Sequence, residues 1–330
     1  MTTRPQEPQP EASAHTGERK STGDYRGRFA PSPTGPLHFG SLIAAVGSYL
    51  DARHHGGEWL LRIEDLDPPR EVPGATDAIL RTLDGFGLYW DGAVIYQSRR
   101  DDLYATALEE LARKGCLYGC ACTRREIADS AIRSESGLVY PGTCRNGLPP
   151  GRHARTLRVR SEACRIQLVD RLQGALQQQL DREVGDFILR RADGLFAYQL
   201  AVVVDDAAQQ ITHVVRGADL LDSTPRQIYL QSLLELPTLS YLHLPVAVDA
   251  DAEKLGKQTF ARDVTADEGG DNAALLDVLG FLSQQLPDSP RDASREELWK
   301  WAINHWEPDR IIAGRPLPAP AAYSAKITKD

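Results

Sequence analysis

Between residues 26 and 248, short apolar runs alternate with longer stretches in which apolar side chains recur every three or four positions. Residues 26–33, 59–64, 187–190, 212–217 and 243–248 carry the strand pattern. Residues 39–54 carry a broad apolar face at helical spacing, through Leu42, Ile43, Val46 and Leu50. A second helix is predicted over 74–86, closed by Gly87. Asp101 can cap a third, in which Leu103, Ala107, Leu108 and Leu111 share one face. Residues 225–234 read as a helix with Thr224 as its cap, and residues 272–306 read as helical. Residues 196–206 mix strand and helix character. The Pro- and Ala-rich end reads as irregular. This alternation predicts an α/β fold, a mostly parallel sheet with helices on its faces. Ligands of such sheets bind beyond the C-terminal ends of the strands.

The alternation breaks over residues 116–191, which read as an inserted subdomain. The expected organisation is a disordered polar tail over 1–24, the first half of the sheet domain over 25–115, the insertion over 116–191, the second half over 192–260, and a helical C-terminal region over 261–330.

Composition narrows this little. At 330 residues and 42% hydrophobic content, the chain can bury a substantial core. No apolar run approaches the length that spans a bilayer. The tail has no apolar signal segment, so the expected location is the cytoplasm. The formal charge of −8 argues against binding nucleic acid over the whole surface, while leaving room for a local basic patch. One candidate is the run Arg145, Arg152, Arg155, Arg158 and Arg160 with His153, which contains no acid. It reads either as a solvated loop or as a contact for a polyanion.

The chemistry concentrates in Arg28-Phe29-Ala30-Pro31-Ser32-Pro33-Thr34-Gly35-Pro36-Leu37-His38-Phe39-Gly40-Ser41. Its prolines and glycines end a strand and force a turn ahead of the helix. His38 and Gly40 therefore sit at a helix mouth, where free N–H groups and the positive dipole end suit a phosphate. A capping histidine is the plainer alternative. Lys254-Leu255-Gly256-Lys257-Gln258 puts two ammonium groups on a glycine-containing loop that can neutralise charge developing on pyrophosphate. Five cysteines, Cys116, Cys120, Cys122, Cys144 and Cys164, cluster in the insertion. An odd number without a signal peptide points to a reducing compartment. Cys120, Cys122 and Cys144 have a spacing that can supply three thiolates to a tetrahedral Zn2+; free thiols are the alternative.

Taken together, these blocks resemble the class I aminoacyl-tRNA synthetases of the glutamyl type. His38-Phe39-Gly40-Ser41 stands where that family has "HIGH", and residues 254–258 stand where it has "KMSKS". Arg62-Ile63-Glu64-Asp65-Leu66-Asp67 and Arg216-Gly217-Ala218-Asp219-Leu220 also look like family blocks. The resemblance covers roughly residues 25–260. It is greatest to the shortened glutamyl-queuosine tRNA(Asp) branch, through Ser41, through the phrases at 67–74 and 194–198, and because about seventy residues follow Lys257, too few for a large anticodon-binding portion. Gly256 departs from the serine usual in the second signature.

The resemblance implies a Rossmann-like catalytic domain and an ATP-dependent ligase. The implied ATP site holds Pro36, His38, Gly40, Ser41 and Lys257, with His38, Gly40, Lys254 and Lys257 acting in catalysis and Mg2+ accompanying ATP. Glutamate would be held by Arg28, Ala30, Ser32, Glu64, Tyr198 and Arg216. Two arginines suit two carboxylates, and Glu64 suits the ammonium. Which arginine takes the side-chain carboxylate stays open, with Arg28 preferred. Tyr140 would be the fourth ligand of a structural zinc with Cys120, Cys122 and Cys144. The implied reaction makes glutamyl-adenylate without tRNA and transfers glutamate to the queuosine wobble base of tRNA(Asp), carried out by a monomer. A truncated synthetase charging the 3′ end of tRNA and a non-catalytic RNA-binding paralogue are the rivals.

Overall fold

A computed structural model describes residues 25–134, 137–161, 164–249, 251–255, 272–314 and 316–324. The predicted tail over 1–24 and the loop residues Gly256, Lys257 and Gln258 lie outside the described residues.

The first segment runs β1 (Arg26–Phe29), α1 (Phe39–His54), β2 (Glu58–Ile63), α2 (Ala75–Gly85), β3 (Ile95–Tyr96) and α3 (Asp101–Arg113). The three strands form one parallel sheet in the order β1-β2-β3. The second segment runs β4 (Leu117–Cys120), α4 (Arg124–Ser130), β5 (Ile132–Ser134), β6 (Gly137–Val139), β7 (Thr156–Val159), β8 (Arg165–Asp170), β9 (Gly174–Gln179), α5 (Leu180–Glu183) and β10 (Ile188–Arg190). All its strand pairs are antiparallel: the sheet β10-β7-β4 and the hairpins β5-β6 and β8-β9. The change from parallel to antiparallel pairing falls where the sequence alternation breaks.

The chain then gives α6 (Tyr198–Ala208), β11 (His213–Gly217), α7 (Thr224–Leu233), β12 (Ser240–Leu244) and β13 (Val246–Val248). β11 and β12 are parallel. The Thr212 N–H donates to the Arg26 carbonyl at 2.9 Å, which ties the approach to β11 to β1. Last come α8 (Ala273–Phe281), α9 (Arg295–Asn304), β14 (Pro316–Pro318) and α10 (Ala321–Ser324).

Several boundaries differ from expectation for physical reasons. Residues 198–208 are helix despite three consecutive valines. Leu200, Ala201 and Val203 pack with Leu108, Leu111 and Leu230, and this burial overrides β propensity. Pro245 divides the expected strand over 243–248 into β12 and β13. Asp101 is the first residue of α3 rather than its side-chain cap, and Thr224 is the first residue of α7. The Gln-rich segment forms β9. The predicted helical span over 272–306 breaks into α8 and α9, and the Pro/Ala-rich end contributes β14, parallel to β13.

The largest core lies around α1. Leu42, Ile43, Val46 and Leu50 meet Trp59 and Leu61 of β2, Leu244 of β12, and Leu275, Leu279, Leu298 and Trp306 from the C-terminal helices and loop. Because α1 is wrapped on several sides, its N-terminus is fixed relative to the C-terminal strand ends.

Candidate active site

The C-terminal ends of β1, β2 and β11 open onto one cavity of about 200 Å³. Arg28, Ala30 and Ser32 enter its lining from β1 and the turn after it. His38, Gly40 and Ser41 come from the head of α1, Glu64 from the end of β2, Tyr198 from the start of α6, Arg216 from β11 and Lys254 from the segment after β13. Pro36 sits in the turn one residue ahead of the lining residue Leu37.

His38 is both a cap and a wall of this cavity. Its Nδ1 accepts the Ser41 N–H at 3.3 Å, and its φ of −108° and ψ of 171° are those of an N-cap. With Nδ1 as acceptor, a neutral ring carries its proton on Nε2. A Cβ on Gly40 would lie 3.1 Å from the His38 ring and 3.4 Å from the Leu255 carbonyl oxygen. Glycine here lets the helix mouth and the start of the second signature approach closely. Leu255 is pinned through its N–H to the Ala247 carbonyl at 2.9 Å, and Lys254 Nζ pairs with Asp219 Oδ2 at 2.5 Å.

Below the cavity lies a charged array that the sequence reading missed. Arg28 is buried, and its Nε and Nη2 donate to Asp206 Oδ1 and Oδ2 at 3.2 and 3.4 Å. Arg62, fully buried, donates to Asp206 Oδ1 at 2.8 Å, to Gln209 Oε1 at 2.7 Å and to Glu64 Oε1 at 3.3 Å. Burial alone would raise the Asp206 pKa, but Arg28 and Arg62 outweigh it and hold the carboxyl below its ordinary value. For Glu64 the balance goes the other way. Burial dominates and raises its pKa, and Arg62 and Arg28 offset it only in part. Asp205 fixes the neighbouring turn of α6 by accepting from Gln97 at 2.7 Å, Arg100 at 2.6 Å and Tyr104 at 2.8 Å. Two adjacent acids ending an apolar run were the available signal, since buried carboxylates need partners.

Arg216 differs from Arg28. It is 5% exposed, and its partners are neutral: His243 Nε2 at 3.1 Å, Tyr198 Oη at 3.4 Å, Thr224 Oγ1 at 2.9 Å and Gln227 Oε1 at 2.8 Å. Among the described residues no carboxylate pairs with it. A buried guanidinium without a counter-ion is costly unless an anion arrives.

In the second segment, the Cys120, Cys122 and Cys144 Sγ atoms lie within 4.8 Å of one another. Cys122 and Cys144 are 3.6 Å apart, and Tyr140 Oη lies 3.3 Å from Cys120 and 3.6 Å from Cys122. Sulfurs at tetrahedral corners around zinc would be about 3.8 Å apart. The three thiols and the phenol therefore form a donor set of the right size. Burial alone would raise the Cys120 pKa, but hydrogen bonds from Tyr140 and the Cys122 backbone, with help from Arg158, bring the thiol down to about 7. Gly185, at φ +72°, brings its backbone onto Tyr140; a Cβ there would lie 2.6 Å from the Tyr140 carbonyl oxygen.

The arginine run is mostly committed inside this segment. Arg145 pairs with Asp186 and Arg152 with Glu126. Arg158 lies 3.8 Å over the Tyr140 ring and donates to the Asp186 carbonyl. Arg160 donates to the Arg145 carbonyl and covers the Tyr118 ring. Arg155 and His153 are exposed.

Residues 24–276 match the family model for class I tRNA synthetases (E and Q), catalytic domain. The fold is thus that of a class I tRNA synthetase, an ATP-dependent ligase. The chain is 60% identical over 289 residues to the glutamyl-Q tRNA(Asp) synthetase of Dechloromonas aromatica, covering 87% of this chain and 95% of that one. It is 56% identical over 306 residues to that of Aromatoleum aromaticum, covering 93% and 96%. A solved glutamate tRNA ligase from Elizabethkingia meningosepticum, in complex with its amino acid, superposes with a TM-score of 0.75 at 25% identity, covering 91% of this chain and 68% of that one. The chain belongs to the glutamyl-Q tRNA(Asp) synthetase family. No helix among the described residues is long and apolar enough to cross a membrane.

Proposed function

We propose that the chain activates L-glutamate with ATP in the absence of tRNA and transfers the glutamyl group to the queuosine wobble base of tRNA(Asp). The observation that carries this reading is Arg216, a buried cation with neutral partners on the wall of the cavity. It can take one substrate carboxylate with Tyr198 beside it. Arg28, already shared with Asp206, takes the other more weakly. Glu64, with its pKa raised by burial, takes the ammonium and is stabilised by it. The names of the relatives support glutamate and tRNA(Asp) as substrates.

In this reading the ATP phosphates lie against the His38 Nε2–H and the open backbone at Gly40 and Ser41, with Pro36 shaping the turn. Lys254, on the wall of the same cavity, adds an ammonium group, and Lys257 of the same signature would supply a second. Mg2+ bound with ATP offsets part of the triphosphate charge. The glutamate α-carboxylate oxygen attacks the α-phosphorus, and the bond to pyrophosphate breaks. The protein contributes alignment and charge stabilisation, with no covalent enzyme intermediate. A queuosine ring hydroxyl then attacks the glutamyl carbonyl and AMP leaves. Cys120, Cys122, Cys144 and Tyr140 would hold a structural Zn2+ that braces the second segment and takes no part in the chemistry.

Glutamate-dependent ATP–pyrophosphate exchange without tRNA is the expected activity, and Lys257→Ala should lower it. Labelled glutamate should pass to 3′-blocked tRNA(Asp) carrying queuosine and not to the same tRNA lacking it. Charging of unmodified tRNA(Glu) at its 3′ end would sink the queuosine assignment.

Glutamate affinity should also depend on pH. Binding an ammonium lowers the raised Glu64 pKa, so binding releases a proton. Affinity is then full above the pKa of the free site and falls by at most about tenfold per pH unit below it. Glu64→Gln should weaken binding and flatten this dependence in calorimetric titrations. An unchanged profile in that variant would remove Glu64 from the ammonium site.

A further inference from the structure

We propose that Asp170 and His243 are positioning residues for Arg216, holding one edge of its guanidinium by hydrogen bonds so that the opposite edge meets the glutamate carboxylate. The inference rests on the assignment of Arg216 to glutamate made above. It adds a second assignment: the β8-β9 hairpin, which lies outside the parallel sheet, orients an amino-acid ligand on that sheet.

Asp170 ends β8 and is 2% exposed; His243 on β12 is fully buried. Neither lines the cavity, so neither touches substrate. Asp170 Oδ1 accepts three backbone N–H groups, from Leu172 at 3.0 Å, Gln173 at 2.8 Å and His243 at 3.2 Å. Its Oδ2 faces His243 Nδ1 at 2.6 Å. Burial pushes the Asp170 carboxyl up, but His243 and the backbone donors bring it below its ordinary value, so it is ionised.

The protons along this chain follow by elimination. An ionised carboxylate only accepts, so His243 Nδ1 carries hydrogen. Arg216 Nε, 3.1 Å from His243 Nε2, can only donate, and the Thr224 hydroxyl, also 3.1 Å away, can donate as well, so Nε2 presents its lone pair. The ring is therefore neutral, in one tautomer. Burial holds the His243 pKa below its ordinary value, with Arg216 adding to this, although Asp170 pulls the other way. Asp170 supplies negative charge to Arg216 only through the polarised imidazole, which leaves the guanidinium oriented but not neutralised. A direct carboxylate partner would compete with the substrate. Gln173, from the same hairpin, donates to the His243 carbonyl at 2.8 Å, so the hairpin holds both the backbone and the ring of this residue.

Asp170→Asn tests the tautomer. If the amide oxygen keeps the three backbone donors, the amide NH2 faces Nδ1. The imidazole proton then moves to Nε2, and two N–H groups meet at Arg216. His243→Leu removes the acceptor, whereas His243→Gln can return a carbonyl oxygen to the Nε2 position. The measurements are the separate KM values for glutamate and ATP in pyrophosphate exchange, with thermal melting as a check on folding.

Asp170→Asn and His243→Leu should each raise the glutamate KM by about tenfold or more, with the ATP KM within about twofold of wild type and His243→Gln within about threefold for glutamate. Arg216→Lys is the reference and should raise the glutamate KM further. The proposal is overturned if Asp170→Asn leaves the glutamate KM at the wild-type value, if the two KM values rise in parallel, or if His243→Leu and His243→Gln behave alike. If Asp170→Asn does not fold, the His243 pair carries the test. An unchanged glutamate KM in Arg216→Lys would instead overturn the carboxylate assignment itself, and the positioning role with it.

Discussion

Replacing Asp206 with alanine is expected to cost about 3–5 kcal/mol of folding stability, because it leaves two buried guanidiniums without their shared carboxylate. Arg28 and Arg62 both donate to Asp206, and Arg62 is fully enclosed. Of its acidic partners among the described residues, Arg62 would keep only a hydrogen bond to Glu64 at 3.3 Å and a longer ion pair with buried Asp205 at 3.8 Å. Arg28 would be left free to swing into the cavity, so glutamate activation should fall with stability. Asp206→Asn keeps the shape and part of the hydrogen bonding, and should lie between wild type and Asp206→Ala. The pH dependence has a definite sign. The folded pKa of Asp206 is depressed, so its stabilisation is full above the unfolded carboxylate pKa of about 3.9 and is lost as pH falls toward the lower folded value. The stability gap between wild type and Asp206→Asn should therefore narrow on acidification below about pH 4. Urea denaturation across pH measures this. A gap for Asp206→Ala of less than about 1 kcal/mol at neutral pH would mean that the array is not a structural element.

The second large effect concerns the thiol cluster. Purified protein should carry about one zinc per chain by elemental analysis, and Cys144→Ser should lose it. The apolar group around the cluster is small, formed by Cys120, Ala121, Tyr140 and Cys144, with a few partly buried neighbours. So small a core cannot order its loops alone, and zinc binding there would be folding energy. Chelation or Cys144→Ser should therefore open residues 121–155 to limited proteolysis. Pyrophosphate exchange should survive to within several-fold, because no cluster residue lines the cavity. Tyr140→Phe should weaken zinc retention without abolishing it, since three thiolates remain. Protein purified without chelator that contains no zinc would remove the metal assignment.

The residues that reach the cavity were readable because they lie in short contiguous strings: the turn from Arg28 to Ser41, the acid after β2, and the lysine after β13. The first two strands and the three helices of the first segment follow from apolar periodicity, whereas the two-residue β3 and the strand order do not. The charged floor was not readable. Asp206 acts through partners 178 and 144 residues away in the chain, and local sequence carries no trace of such pairings. The Asp205-Asp206 pair lay in a stretch whose valines favour strand, so the element itself stayed ambiguous. The arginine run misled in the opposite direction. Its charge density suggests a surface for polyanions, but four of its five arginines are occupied with Asp186, Glu126, aromatic rings or backbone carbonyls. Counting charges along a chain does not register partners brought in by folding.

The packing around α1 bears on the order in which the protein can be completed during synthesis. The Trp306 indole donates to Asp51 on α1, 255 residues earlier. Trp299 donates to the Phe86 carbonyl across 213 residues, and Leu275, Leu279 and Leu298 belong to the same apolar group as Leu42 and Leu50. On the ribosome, the helix capped by His38 emerges early but keeps part of its apolar surface uncovered until residues 275–306 follow. Nascent chains of this protein therefore carry an exposed apolar helix for most of their elongation, and chaperones have that interval in which to bind it.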